Sequence, residues 1–273
     1  MKLLILLFSF LISSFSYTQV SLSADGPGNT YELITSKLAP GYNPIEAPGQ
    51  KKGDCDNHSS FPDTHISEVF SQELQKHVFK FVIHVKEDND RCKKFDRQRN
   101  EIKSYKSSPD NLKGVLGETV EYKWKFKLDK NFQPSKKFTH LHQLKAVGGL
   151  DKDMPLVTLT ARKASLDRLE LRYSSGLDQN TLTTVALDKF RGHWVDVTET
   201  VTYEEKGKAK FSIVIKNLKT GAKILEYTSN TLRMWKTNAD FIRPKWGIYR
   251  SLKHSHDLRD EELLFADFVI TEI

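Results

Sequence analysis

From residue 120 to residue 128 the chain alternates without a slip. Val120, Tyr122, Trp124, Phe126 and Leu128 are apolar; Glu121, Lys123, Lys125 and Lys127 are charged. Side chains of an extended strand point to opposite faces in turn, so this stretch must bury one side and keep the other in water or in a groove. Strand signals of the same kind mark residues 77–85, 138–146, 155–162, 168–173, 181–187, 193–203, 210–217, 223–229, 245–250 and 263–270, and Asn217-Leu218-Lys219-Thr220-Gly221 reads as a hairpin turn between two of them. About a dozen close-set strands with hardly a helix imply a two-sheet sandwich. The expected fold is therefore all-β: a single β-jelly roll of the concanavalin-like kind, with a concave groove for an extended ligand.

The remaining segments fit round this core. Residues 25–52 are rich in Gly and Pro and read as irregular chain, with a short strand at 30–34. Residues 53–64 form a polar loop, and 66–75 read as a short helix or a turn, since their apolar residues fit no period. Lys2, the apolar run Leu3 to Ile12 and the small residues Ser13, Ser14 and Ser16 have the form of an export signal. Residues 1–18 are assigned to it, with the cut between 16 and 24, and residues 19–273 to one domain. The apolar run is too short to span a bilayer comfortably. The expectation is a secreted or periplasmic monomer without a stable membrane anchor. Cys55 and Cys92 are the two cysteines, and an even count in an exported chain permits one disulfide between them.

The net charge is +7 and the pI about 9.1. A basic exported protein points to an acidic partner, and export together with the lack of a binding motif speaks against nucleic acid. Three stretches carry polar side chains that a sandwich does not need. On a strand over 95–103, Arg97, Arg99, Glu101 and Lys103 share one face. Unpaired buried charges are costly, so this face is either solvated or the floor of a cleft that receives an anion, with Glu101 steadying one arginine. In the second stretch, plain alternation puts His140 and His142 on one side, and Leu141, Gln143 and Lys145 on the other. In the third, Lys245, Gly247, Tyr249 and Ser251 share a face, and Gly247 allows a close approach to the backbone. Their conjunction favours the cleft.

These stretches resemble, in order, the motifs of the jelly-roll polysaccharide lyases, the clan of alginate lyases, glucuronan lyases and heparin lyase I. Arg99-Asn100-Glu101-Ile102-Lys103 resembles R-x-E-L/V-R, His140-Leu141-His142 resembles Q-I/V-H, and Lys245-Trp246-Gly247-Ile248-Tyr249 resembles the late Y-F-K-A-G-x-Y motif. His140 stands in place of a glutamine and Lys103 in place of an arginine; Gln143 lies one position beyond the second motif, on the opposite face unless a bulge re-aims it. The resemblance implies a secreted lyase that cleaves a uronate polysaccharide by β-elimination.

That chemistry needs the uronate carboxylate neutralised, the C5 proton removed and the leaving O4 protonated. Arg99 and His140 are expected to meet the carboxylate, His142 to act as base, and Tyr249 to protonate O4 or to serve as both base and acid. Arg97, Glu101, Gln143, Lys245 and Arg250 complete the expected substrate-binding set. No cofactor is required for the chemistry. Asp88 and Asp90 in an acidic loop, with Asp267 in the last strand, offer hard oxygen ligands for a structural Ca2+. A glycoside hydrolase would need two carboxylates facing one site, which the three stretches do not supply. A non-catalytic lectin-like protein would need aromatic platforms, for which Trp124, Trp194, Trp235 and Trp246 are the candidates.

Overall fold

The computed structural model describes residues 18–49 and 65–273. Its strands in chain order are β1 (Gln19–Leu22), β2 (Ile45–Glu46), β3 (Ile66–Ser71), β4 (Lys76–Ile83), β5 (Arg97–Lys103), β6 (Thr119–Leu128), β7 (Thr139–Gly148) and β8 (Val157–Arg162). They continue with β9 (Arg168–Tyr173), β10 (Asn180–Ala186), β11 (Trp194–Thr202), β12 (Lys210–Asn217), β13 (Lys223–Ser229), β14 (Ala239–Ser251) and β15 (Glu261–Glu272). Among the described residues one α-helix, α1 (Thr30–Leu38), precedes β2. The strands form two antiparallel sheets: seven strands in the order β10-β9-β8-β7-β14-β5-β2, and eight in the order β13-β12-β11-β6-β15-β4-β3 with β1 added on β15. This is the expected sandwich. Among the described residues no helix is long and apolar enough to cross a membrane.

The alternation over β6 does what its period requires. Val120, Tyr122, Trp124, Phe126 and Leu128 are all buried, and they pack in one core with Ile213 and Ile215 of β12, Leu159 and Leu171 of the other sheet, and Trp246. Aromatic edges and faces fill the middle: the Trp124 and Trp246 ring centroids are 5.9 Å apart, and those of Trp246 and Phe268 4.9 Å.

Two segments differ from their sequence reading. Residues 30–38 are helical, with Ile34 and Leu38, one turn apart, on the buried side. Residues 66–71 are a strand paired with β4. Their period is masked because Glu68 is buried, where its carboxylate accepts the backbone N–H groups of Asp25 and Gly26 at 2.7 Å. Residues 1–17, with the body of the expected export signal, and Cys55 lie outside the described residues.

Two register slips shape the seven-stranded sheet. Across β7–β8, His140 pairs with Thr160 but His142 with Leu159; across β7–β14, His142 pairs with Trp246 but His140 with Tyr249. Each slip is a bulge with one extra residue, and an extra residue inverts the parity of the positions beyond it. His140 and Gln143 therefore reach the same outer face, while Leu141, His142 and Leu144 turn inward and are buried. Gly247 sits at the second slip and lets β14 lie close against β5. Its φ is +141°, and a Cβ there would sit 2.1 Å from Asn100 O and 2.8 Å from Glu101 Cα. Replacing Gly247 by Ala should cost at least about 2 kcal/mol, through strain and displacement of β5. Urea unfolding should show a lower midpoint at unchanged slope.

Candidate active site

The outer face of the seven-stranded sheet carries a cleft of about 560 Å³. Ten of the residues lining it are Lys or Arg, and three are acids: Glu46, Asp90 and Asp153. Much of the chain's basic excess thus lies around this cleft.

β5 and β14 run side by side, pairing Arg97 with Ser251, Arg99 with Tyr249, Glu101 with Gly247 and Lys103 with Lys245. Of the charged row of β5, Arg97 and Arg99 line the cleft while Glu101 and Lys103 are buried, so the row is not a solvated face. These charges are bound to one another. Arg99 meets Asp90 through two prongs, Nε–Oδ1 at 2.9 Å and Nη2–Oδ2 at 3.0 Å, and Glu101 through Nη1 at 2.7 Å. Lys245 lies 2.6 Å from Glu101 and 2.5 Å from Glu46. Glu46 also takes Lys103 and Arg91 at 2.7 Å each, and Gln143 donates to Glu101. Burial alone would raise the Glu46 and Glu101 carboxyls. For Glu46, Lys245, Arg99, Lys103 and Arg91 outweigh it and hold the group well below the carboxylate range; for Glu101, Lys245 and Arg99 outweigh it and lower the group. Asp90 is likewise held low, Arg99 and Arg91 outweighing its burial. Burial lowers Lys103 to about 8, with Glu46 opposing.

Above this floor stands Tyr249. Its ring lies on the Arg99 guanidinium, with the central carbon 3.6 Å from the ring centroid, and its hydroxyl accepts Arg97 Nη1 at 3.0 Å. Arg97 is itself held by Asp96 through two prongs at 2.7 and 2.8 Å. Burial raises the Tyr249 phenol, opposed by the Arg99 charge and the Arg97 hydrogen bond. His140 is 5.8 Å from Tyr249, centroid to centroid, and Phe138 stacks on it at 4.8 Å. Its Nδ1 bonds Thr160 Oγ1 at 2.8 Å, so Nε2 is the nitrogen left to address a ligand. Burial pushes His140 down to about 3, so the ring is neutral at physiological pH. Lys145, lowered by burial to about 8, and Arg243 extend the positive lining.

Arg97, Arg99, His140, Gln143, Lys245 and Tyr249 thus converge on the cleft, with Glu101 buried beneath them. His142 does not. It is fully buried between the sheets, its ring 4.4 Å from that of Trp124 and tilted by 35°, with Nδ1 against Lys245 O at 3.0 Å and Nε2 against Glu199 of β11 at 2.8 Å. The bulge turned it inward, and the expected base is a core residue. Arg250 follows Tyr249 by one place and so faces the other way. It is fully buried, with Nε on Gln98 Oε1 and Nη1 on Arg259 O, each at 2.8 Å, and is no substrate ligand. The Arg99 fork expected to grip a uronate is filled by Asp90. The expected Ca2+ ligands do not meet either. Asp90 serves the arginines, Asp267 binds Lys76 and Lys125 on the eight-stranded sheet, and Asp88 faces His65 and His84. Opposite charges hold Asp90 and Asp267 apart in separate ion pairs.

Sequence reasoning missed Glu46, Arg91 and Thr160, and gave Asp90 the wrong partner. Glu46 sits on a two-residue strand between prolines 44 and 48, too short to show a period. Among the described residues no tryptophan lines the cleft; Trp124 and Trp246 are core.

No family model matches the chain, and no curated protein does. Solved structures share its fold. The marine PL-14 alginate lyase from Aplysia kurodai superposes with a TM-score of 0.58 at 17% identity, over 93% of this chain and 98% of that one. The endo-β-1,4-glucuronan lyase from the fungus Trichoderma reesei gives 0.52 at 17% identity, over 75% and 85%. A family 7 alginate lyase in complex with substrate gives 0.52 at 10% identity, over 78% and 83%. The chain has the jelly-roll fold on which these lyases are built.

Glu46 is the acid whose removal tests the ionic floor most directly. Replacing it by Gln leaves Lys245, Lys103 and Arg91 without their shared carboxylate and should cost about 3 kcal/mol, the scale of breaking a buried pair. A depressed carboxyl stabilises the fold fully above its unfolded value and loses that contribution as pH falls through the folded one. Wild-type stability should therefore decline below about pH 5, and Glu46→Gln should flatten that decline. Denaturant titrations at several pH values measure both effects.

Proposed function

We propose that the protein is a polysaccharide lyase that cleaves a uronate polymer by β-elimination in this cleft. The observation that carries the reading is the Tyr249 hydroxyl, held by Arg97 at 3.0 Å over the Arg99 guanidinium and beside a neutral His140, in a cleft lined by ten cations. The fold shared with alginate and glucuronan lyases supports it.

In this reading Tyr249 moves the proton. The Arg97 and Arg99 guanidiniums oppose the burial that raises the phenol; as the phenolate, Tyr249 takes the C5 proton, the electrons form the C4–C5 double bond, the C4–O4 bond breaks, and the phenol returns its proton to O4. His140, through Nε2, and Lys245 with Gln143 neutralise and orient the uronate carboxylate. Arg99 and Asp90 brace the tyrosine ring, a role in place of the two-pronged grip on substrate. Lys145, Arg162 and Arg243 receive neighbouring uronates. Hydrolysis is disfavoured because Glu46, Asp90 and Glu101 are all held ionised by cations, leaving none of them as a proton donor. A lectin-like reading lacks its tryptophan platform among the described residues of the cleft.

The export reading remains part of the proposal: a monomer, secreted or periplasmic, with Cys55 bonded to Cys92. β1 supports a cut no later than Thr18, because Gln19–Leu22 pairs with β15. Two titratable thiols in the native exported protein would remove the disulfide.

Mixing the protein with glucuronan, alginate, heparin-type and pectin-type polymers should raise the ultraviolet absorbance of unsaturated uronate on at least one of them. On that polymer Tyr249→Phe should leave folding and binding largely intact and lower turnover at least about a hundredfold. His142→Phe should instead act through stability, lowering the unfolding midpoint more than the rate per folded molecule. Near-normal elimination by Tyr249→Phe would end the assignment.

A further inference from the structure

A second cluster lies on the other side of β5, between the sheets, and the proposed lyase chemistry makes no use of it. His65 immediately precedes β3, His84 follows β4, and Asp88 lies in the loop leading to β5. His65 Nε2 is 2.9 Å from Asp88 Oδ1, and His84 Nδ1 is 3.4 Å from Asp88 Oδ2. All three donor groups lie within 4.8 Å of one another, with His65 and Asp88 buried and His84 partly so.

We propose that His65, His84 and Asp88 form a binding site for a divalent transition metal of the zinc type, which acts as a structural brace. The donor set decides the class of ion. Two imidazole nitrogens and a single carboxylate suit Zn2+ or Co2+, whereas Ca2+ takes six to eight oxygens. The spacing is close to what the ion needs, because donors at about 2.1 Å from a tetrahedral centre stand roughly 3.4 Å apart. The backbone around the donors is already fixed. Gln98 Nε2 donates to Asp88 O at 2.9 Å and to His84 O, and Asn100 Nδ2 donates to His65 O at 2.8 Å. Asp88 Oδ2 also accepts the His84 backbone N–H at 2.6 Å. Supports of this kind hold ligands in place in metal sites.

The position gives the brace its purpose. Gln98 and Asn100 flank Arg99 on β5, and Asp90 follows Asp88 by two residues. An ion at this site would tie β3, β4 and the loop to the strand that carries the charged floor of the cleft. The inference does not depend on the lyase reading.

The full exported chain, prepared without a histidine tag and stripped with a chelator, would be titrated with Co2+ and separately with Zn2+. One Co2+ per chain should bind with the visible absorption of a nitrogen-ligated ion, and saturating Zn2+ should raise the melting temperature by about 5 °C or more. His84→Ala, at the least buried ligand, should abolish both signals, and Asp88→Asn should weaken them at least about tenfold. A wild-type protein that shows neither signal overturns the proposal, whether or not the variants fold. So does a Co2+ signal that survives His84→Ala in a folded protein.

Discussion

The site depends on carboxylates buried among cations. Glu46, Asp90 and Glu101 are removed from water together with Arg99, Lys103 and Lys245, and the desolvation of so many charges is recovered only if nearly every one is paired at hydrogen-bond distance. A packed apolar floor of the same volume would be as stable or more so. What the ionic floor supplies is a rigid field of known sign under Tyr249. It fixes the ring of Tyr249 from below and leaves the upper cleft positive, a lining that suits an anionic ligand.

The two faces of the seven-stranded sheet solve opposite problems with similar residues. Outward, His140 is neutral and reaches the cleft; inward, His142 joins the sheets through Glu199 and tilted contacts with Trp124 and Trp246. Arg97 holds the Tyr249 hydroxyl, whereas Arg250, one place on and of opposite parity, is buried on Gln98 and Arg259. Residue type alone does not separate ligand from scaffold here. The face does, and the face is set by backbone register.

Much of this is legible in the sequence. The alternation of β6 announces a half-buried strand, and the row Arg97, Arg99, Glu101, Lys103 shares a face because nothing interrupts β5. Tyr249 and Lys245 share a face because β14 keeps an unbroken register with β5, its slip being against β7. What parity cannot show is the pair of slips around His140 and Gly247, since a bulge costs one residue and leaves no compositional mark beyond a glycine. Hence plain alternation puts His142 in the cleft and Gln143 on the far side, each the reverse of the structure. Glu46 is invisible for a different reason: a two-residue strand at a sheet edge has no period to read. Arg250 is a plain error of parity, one place from Tyr249.

The charges of the floor come from distant parts of the chain. Lys245 and Glu46 are 199 residues apart, and Arg99 and Asp90 lie between them in sequence. Until β2 and the loop before β5 are in place, the cations of β5 and β14 face each other with only Glu101 between them. A mispaired β14, shifted by two residues along β5, would keep its apolar side inward and satisfy the core, yet it would set Lys245 against Glu101 of the wrong rung and leave Glu46 short of a partner. Apolar patterning alone does not distinguish the two registers; the pairing of charges and the fit of Gly247 against Asn100 and Glu101 do. The ionic floor therefore adds an electrostatic penalty to an alignment that burial of apolar side chains alone would accept.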